Sequence, residues 1–295
     1  MIEEYLKSHG EYYNDKCFKD LTTVKIGGHI KHFILPYTIE DLKDIIGFLK
    51  TNKVPFKVLG NGSNLICGES LYDGVVICLK KLNGYEISND EAYIEAGVLV
   101  PSIANTLCKM GLSCLEFAGG IPGTIGGLIY MNAGAYKGSM SDIINEVLVL
   151  KDDELVWLNN QECKFAYRNS IFKEHPHWVI LACKIKLVKK SSEAIEELMA
   201  DRLSRRKKTQ PLDKPSAGST FRNPEGGFAW ELIDGINYRG YSKNGASVSE
   251  KHSNFIVNNG GASSEDYLGI AYEIIDKVKA KYGIKLVMEV EKFNC

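Results

Sequence analysis

The chain has 295 residues, 44% hydrophobic and 25% charged, a globular composition that excludes a disordered chain. Its 36 lysines and arginines balance 37 aspartates and glutamates, giving a formal net charge of −1. No global field then draws in nucleic acid or an anionic membrane, and any basic site must be local. The length allows about two domains. No apolar run approaches the ~20 residues of a membrane-spanning helix. The start, Met1-Ile2-Glu3-Glu4-Tyr5, lacks the basic-then-apolar pattern of a signal peptide. A cytosolic protein is expected, with its eight cysteines (17, 67, 78, 108, 114, 163, 183 and 295) as reduced thiols. No C-x-x-C pair occurs, so neither a zinc ribbon nor a thioredoxin-type site is visible.

In chain order, residues 32–37 and 54–59 read as short apolar strands. Between them Thr38 is a candidate N-cap with Asp41 three residues on, and Leu42, Ile45, Ile46 and Leu49 follow at helical spacing. This predicts a β-α-β unit. A loop at 60–64 leads to a strand at 75–79. Residues 81–98 predict a strand pair around turn residues Asn89-Asp90, and a short helix around 101–111 stops at Gly111. After the glycine-rich stretch 119–138, residues 143–188 return to strand-like runs. A helix from about Ser192 ends in the basic cluster Arg202, Arg205, Arg206, Lys207 and Lys208. Residues 211–261 are rich in Gly, Ser and Asn. A final helix is capped by Ser263, with Asp266 three residues on, and runs to Gly283; a strand at 284–293 closes the chain. The most plausible boundary is Lys189-Lys190-Ser191-Ser192, between a strand and a helix.

Closely spaced glycines let backbone approach a ligand and turn N–H groups inward, commonly toward phosphate. Two such loops occur, Gly60-Asn61-Gly62-Ser63-Asn64 and Gly119-Gly120-Ile121-Pro122-Gly123-Thr124-Ile125-Gly126-Gly127. Two phosphate-cradling loops suit a dinucleotide. Gly60-Asn61-Gly62 alone equally fits a hairpin turn, but a turn does not need five glycines in nine residues. A Rossmann fingerprint fails. The third glycine position is Leu65, no helix follows, and Lys80-Lys81 stand where an acidic residue is required.

Candidate chemistry lies elsewhere too. Ser219, in Ser216-Ala217-Gly218-Ser219-Thr220-Phe221, is either a turn serine or a reactive hydroxyl; the G-x-S-x-G elbow of hydrolases is absent. Arg168 suits bidentate carboxylate binding or a surface strand. Glu289 sits in the apolar context Leu286-Val287-Met288-Glu289-Val290, where alternation points it either to solvent or to a buried functional face. The cluster at 202–208 is a solvated helix end or a phosphate site. His29, His32, His175 and His177 form short pairs without a matching acid, so no metal site is expected.

Together the ordered motifs resemble one family over nearly the whole chain. They are Thr23-Val24-Lys25-Ile26-Gly27-Gly28, Leu59-Gly60-Asn61-Gly62-Ser63-Asn64-Leu65, Gly120-Ile121-Pro122-Gly123-Thr124-Ile125-Gly126-Gly127 and Met131-Asn132-Ala133-Gly134-Ala135-Tyr136. They continue through Tyr167-Arg168-Asn169-Ser170-Ile171-Phe172, Gln210-Pro211, Pro215-Ser216-Ala217-Gly218-Ser219-Thr220-Phe221-Arg222-Asn223-Pro224, the run from Val248 to Asn258, and Met288-Glu289-Val290. The chain resembles the UDP-N-acetylenolpyruvoylglucosamine reductases, flavoenzymes of bacterial peptidoglycan precursor synthesis. The resemblance implies an α+β chain with an FAD-binding fold of the vanillyl-alcohol-oxidase/PCMH type and a C-terminal α+β substrate domain. The implied FAD-binding domain is 1–190, in two α+β subdomains of about 1–80 and 81–190; 191–295 is the implied substrate domain.

The resemblance implies non-covalent FAD, held by Gly60, Asn61, Gly62, Ser63, Asn64, Gly120, Ile121, Pro122, Gly123, Thr124, Gly126, Gly127, Asn132, Gly134 and Ala135, with NADPH as reductant. Neither His nor Cys lies in the first loop to tether the flavin. Ser219 matches the serine that gives a proton to C2 of the enolpyruvyl group, and Arg168 and Glu289 match the pair acting on the substrate carboxylate. Glu289 would then be protonated or bridged by a cation, and a raised pKa is expected. Tyr136, Tyr167, Arg206, Gln210 and Asn223 are candidate substrate contacts. The extra tyrosine-bearing loop of longer members is missing, and Arg222 stands where many have lysine. No second dinucleotide motif exists, so one pocket is expected to serve nicotinamide and substrate in turn. The alternatives are another non-covalent FAD oxidoreductase or oxidase of the same fold, and a non-enzymatic nucleotide-binding module. Small-molecule substrates are the expected partners, without nucleic acid or membrane insertion.

Overall fold

The computed structural model describes residues 2–88 and 90–295; Asn89 of the expected 89–90 turn lies outside the described residues. The chain forms two compact units. The first comprises Met1–Asn14, His32–Asn61 and Asp73–Ser204, the second Asp15–Lys31, Gly62–Tyr72 and Arg205–Cys295. The sequence-based boundary near 190 follows a charge run. The division by compactness falls instead at 204/205, inside the helix Ser192–Thr209, and two N-terminal segments group with the C-terminal part.

Among the described residues, two five-stranded sheets dominate the first unit, beside two small two-stranded ones. In one, the strand order is Gly10–Tyr13, His29–Pro36, Tyr72–Cys78, Phe56–Leu59, so the expected β-α-β unit has a third strand inserted between its two strands. Phe56–Leu59 runs parallel to that insert, with Phe56 opposite Val75 and Leu59 opposite Cys78. The intervening helix Ile39–Thr51 starts in a capping box. The Asp41 N–H donates to Thr38 Oγ1 at 3.0 Å and the Thr38 N–H donates to Asp41 Oδ2 at 3.1 Å. Its buried face is Leu42, Ile45, Ile46 and Leu49, the four positions that the 3.6-residue period selects. The other sheet is antiparallel, in the order Glu154–Asn159, Ile144–Lys151, Val179–Lys186, Glu91–Glu95, Tyr85–Ile87. Residues 147–150 and 179–183 are buried without interruption, in one continuous core with Ile94, Ile103 and Ile125.

The second unit has its own core around Phe221, Ile256, Tyr267, Ile274 and Val278. The helix Ser264–Tyr282 begins in a capping box between Ser263 and Asp266 and ends on Gly283 in the left-handed conformation (φ 70°). It packs on the strands Ser242–Lys243, Ala246–Val248 and Ile256–Asn258. These strands and the helix Ala229–Gly235 fall within 211–261, which the sequence marked only as rich in turn residues. The expected strand over 284–293 is corrected. Only Glu291–Phe293 is a strand, parallel to Leu65–Cys67, while Met288 makes an isolated bridge with Phe221. The chain changes partner midway: the Glu289 N–H donates to Thr220 O at 2.8 Å, and the Glu291 N–H to Asn64 O at 3.0 Å.

Candidate functional site

In the first unit Gly60-Asn61 meets the second glycine loop. Asn61 Nδ2 donates to Pro122 O at 2.6 Å, and a Cβ on Gly60 would lie 2.5 Å from Thr124 Oγ1. Thr124 is buried and caps the helix Ile125–Tyr130, accepting from the Gly127 N–H. The second loop is pinned by Val100 N–H to Gly123 O (3.0 Å), Ile125 N–H to Val98 O (3.0 Å) and Gly126 N–H to Ala96 O (2.9 Å). At Gly126 a Cβ would lie 2.9 Å from Ala96 Cβ, so this glycine serves close packing. With no side chain at Gly60 and the second loop tied down by its own hydrogen bonds, these loops leave a fixed, backbone-lined surface that a dinucleotide can approach closely. On this ground the residues fit FAD.

Asn132 organises the neighbouring turns. Its side chain donates to Ala166 O (3.0 Å) and accepts from the Ser141 N–H (3.0 Å), and it is itself buried at φ 40°. Ala166 and Asn169 close a two-residue turn by reciprocal bonds of 3.0 and 3.1 Å, with Tyr167 and Arg168 at its tip. Arg168 has a left-handed backbone (φ 53°), its Nη2 donates to Gly134 O at 3.0 Å, and its guanidinium lies 5.3 Å from the Tyr167 ring centre. The guanidinium is thereby aimed by the Gly134-Ala135 segment, and it lies on a turn, not on the strand that sequence also allowed. Tyr136 tops the adjoining hairpin Gly134–Ala135/Gly138–Ser139; its hydroxyl donates to Arg202 O (2.9 Å), and Arg202 lies over its ring.

In the second unit Ser219 is half-buried and follows Gly218, which needs its positive φ of 80°. The next residue is fixed on every side. The Thr220 N–H donates to Asn254 O at 2.7 Å, the Thr220 carbonyl accepts from the Glu289 N–H, and Thr220 Oγ1 lies 3.0 Å from Tyr267 OH. The bond from the Glu289 N–H to Thr220 O thus joins the segments that carry Ser219 and Glu289, far apart in sequence. The Glu289 carbonyl accepts from Asn64 Nδ2 at 3.1 Å. Asn64, expected at the cofactor, braces the segment that carries Glu289. Burial holds the Tyr267 phenol well above its usual value, so it stays a neutral hydrogen-bonding group.

The remaining candidates differ in what holds them. Gln210 closes the helix Ser192–Thr209 through its N–H to Arg206 O (2.8 Å), and its Oε1 is buried without a hydrogen-bond partner among the described residues, as expected of a group awaiting a ligand. Asn223 Oδ1 accepts from the Ala229 N–H (3.1 Å), which ties it to the start of the helix Ala229–Gly235. Arg206 sits half-buried near the end of its helix.

Comparison with known proteins decides between the readings of this geometry. A family model described as "UDP-N-acetylenolpyruvoylglucosamine reductase, C-terminal domain" matches residues 210–293, and one described as "FAD binding domain" matches residues 30–159. A protein named UDP-N-acetylenolpyruvoylglucosamine reductase from Caldanaerobacter subterraneus is 42% identical over 98% of this chain and 96% of its own. One of the same name from Carboxydothermus hydrogenoformans is 42% identical over 92% of this chain and 90% of its own. The crystal structure of the Thermus caldophilus reductase superposes with a TM-score of 0.81 at 32% identity, covering 96% of this chain and 98% of that one. The chain belongs to the UDP-N-acetylenolpyruvoylglucosamine reductase family. It has that family's FAD-binding fold of the PCMH type, with mixed helices and strands throughout. Among the described residues no helix is long and apolar enough to cross a membrane.

Sequence reasoning assigned no role to Thr220, Asn254 or Tyr267. Thr220 and Asn254 lie in motifs that carried the resemblance. Asn254 acts by gripping backbone, which leaves no residue-type signature, and Thr220 and Tyr267 meet through their hydroxyls only once the chain closes.

Proposed function

We propose that Ser219, Arg168 and Glu289 carry out the NADPH-dependent reduction of UDP-N-acetylglucosamine enolpyruvate to UDP-N-acetylmuramate, an FAD-dependent step of peptidoglycan precursor synthesis. The observation that supports this reading is the bond from the Glu289 N–H to the Thr220 carbonyl, which joins the segment after the half-buried Ser219 to the one that carries Glu289. Gly60, Asn61 and the loop 120–127 would hold FAD, which would supply the hydride chemistry between NADPH and the enolpyruvyl group.

Ser219 gives the proton to C2 of the enolpyruvyl group. A serine hydroxyl is a weak acid, so it serves only against a strongly basic carbon and needs a route for its own reprotonation. Arg168 neutralises charge building on the substrate carboxylate, an electrostatic role that its turn and its bond to Gly134 prepare in advance. Glu289 works beside that carboxylate in its protonated form or through a cation. Gln210, with its unpaired buried oxygen, is a substrate contact. Tyr136, Tyr167, Arg206 and Asn223 are further contacts in this reading. The functional division is 1–190 for cofactor and 191–295 for substrate, and the location is the cytoplasm, where NADPH and the nucleotide substrate are found.

In the test, flavin is reduced anaerobically with NADPH and then mixed with the enolpyruvyl substrate. Ser219→Ala should leave reduction by NADPH intact and slow reoxidation by substrate about 10²–10⁴-fold, the range of general acid catalysis. Reoxidation at the wild-type rate would remove Ser219 from the reaction.

A further inference from the structure

The segment that follows Ser219 is anchored by one residue. Asn254 is 4% exposed and takes up three main-chain groups of Thr220 and Phe221, one through its own main-chain carbonyl and two through its side chain. Its carbonyl accepts from the Thr220 N–H (2.7 Å), its Oδ1 from the Phe221 N–H (2.9 Å), and its Nδ2 donates to Phe221 O (2.8 Å). A primary amide is the only side chain that presents donor and acceptor side by side as a peptide does, so Asn254 substitutes for a neighbouring strand. Its own N–H donates to His252 Nδ1 at 3.3 Å. The gripped segment is also where Glu289 attaches, through Thr220 O, and where the Val287 carbonyl accepts from the Arg222 N–H at 2.9 Å.

We propose that Asn254 is a positioning residue for proton delivery: its side-chain amide fixes Phe221 and thereby keeps Thr220 seated on the Asn254 main-chain carbonyl, which sets the Ser219 hydroxyl and the segment that carries Glu289 in register. The proposal rests on the reading of Ser219 as proton donor. A displacement of about 1 Å at a reacting group costs on the order of 10²-fold, so loosening this grip is felt in the proton-transfer step. It is not felt in hydride uptake from NADPH, in which Ser219 has no part.

The test uses the FAD-loaded enzyme with Asn254→Leu, which removes donor and acceptor at nearly constant volume. Asn254→Asp, which keeps the acceptor for the Phe221 N–H, replaces it if the leucine variant does not fold. Reoxidation by substrate should slow about 10–100-fold. Reduction by NADPH should stay within about twofold, and substrate affinity, read from the perturbed flavin spectrum, within about threefold. The decisive readout is the double variant with Ser219→Ala. It should reoxidise no more slowly than Ser219→Ala alone, since Asn254 acts through Ser219. Multiplying losses, equal slowing of both half-reactions, or an unchanged rate would overturn the proposal. Slow Ser219→Ala with fast Asn254→Asp would sink this inference alone, whereas fast Ser219→Ala would remove the reading beneath it.

Discussion

A methyl group on Gly60 would lie 2.5 Å from Thr124 Oγ1, closer than real carbon atoms approach. Thr124 is buried and committed to its helix cap, so it cannot swing aside. Gly60→Ala should therefore push the two glycine loops apart and weaken FAD binding at least about tenfold, about 1.4 kcal/mol, measured as flavin lost on ultrafiltration. Retention of FAD at wild-type affinity would show that this contact does not shape the cofactor surface. At this scale the glycine loop stood out in the sequence as more than a turn, because five in nine residues exceed what a turn needs. Ser219 carries no elbow motif, and only its place among ordered motifs sets the proton-donor reading apart from a turn serine. Asn254 was invisible because its partners are main-chain atoms over thirty residues away.

Among the elements, both long helices with Ser or Thr caps were readable from their first four residues. Ser263→Ala should cost about 1 kcal/mol, seen as a lowered denaturation midpoint at constant slope. In the helix Ile39–Thr51, Gly47 has open space where a side chain would go, and Gly47→Ala should stabilise by about 0.5–1 kcal/mol. The closing strand was misread in extent because apolar alternation does not reveal a change of partner. Residues 287–289 pair with 220–222, and 291–293 with 65–67. Acid stability belongs to this scale as well. Burial pushes the Asp234 carboxyl up, but hydrogen bonds from Arg239 and Ser253 outweigh it and hold the group below its ordinary value. A carboxylate with a depressed folded pKa adds stability above its unfolded value and loses it as pH falls through the folded one. Wild type should therefore exceed Asp234→Asn in stability near neutral pH, and the gap should close below the ordinary carboxylate range. A gap constant down to pH 2 would contradict the pairing.

For the whole molecule, the sequence placed the division at a charge run, whereas compactness places it within a helix and draws two early segments into the second unit. Such returns of the chain are set by long-range pairing, such as Leu65–Cys67 with Glu291–Phe293, which local composition does not record. The assignment to the reductase family spans nearly the full chain, and with it the protein should purify yellow. The most direct test is anaerobic: the bound flavin is reduced with NADPH, UDP-N-acetylglucosamine enolpyruvate is added, and absorbance near 450 nm is followed. Return of the oxidised band without oxygen is the result expected of a reductase that delivers hydride to the enolpyruvyl group. Flavin that stays reduced under substrate and recovers only with oxygen would mark an oxidase on the same fold, and the roles of Ser219, Arg168 and Glu289 would fall together.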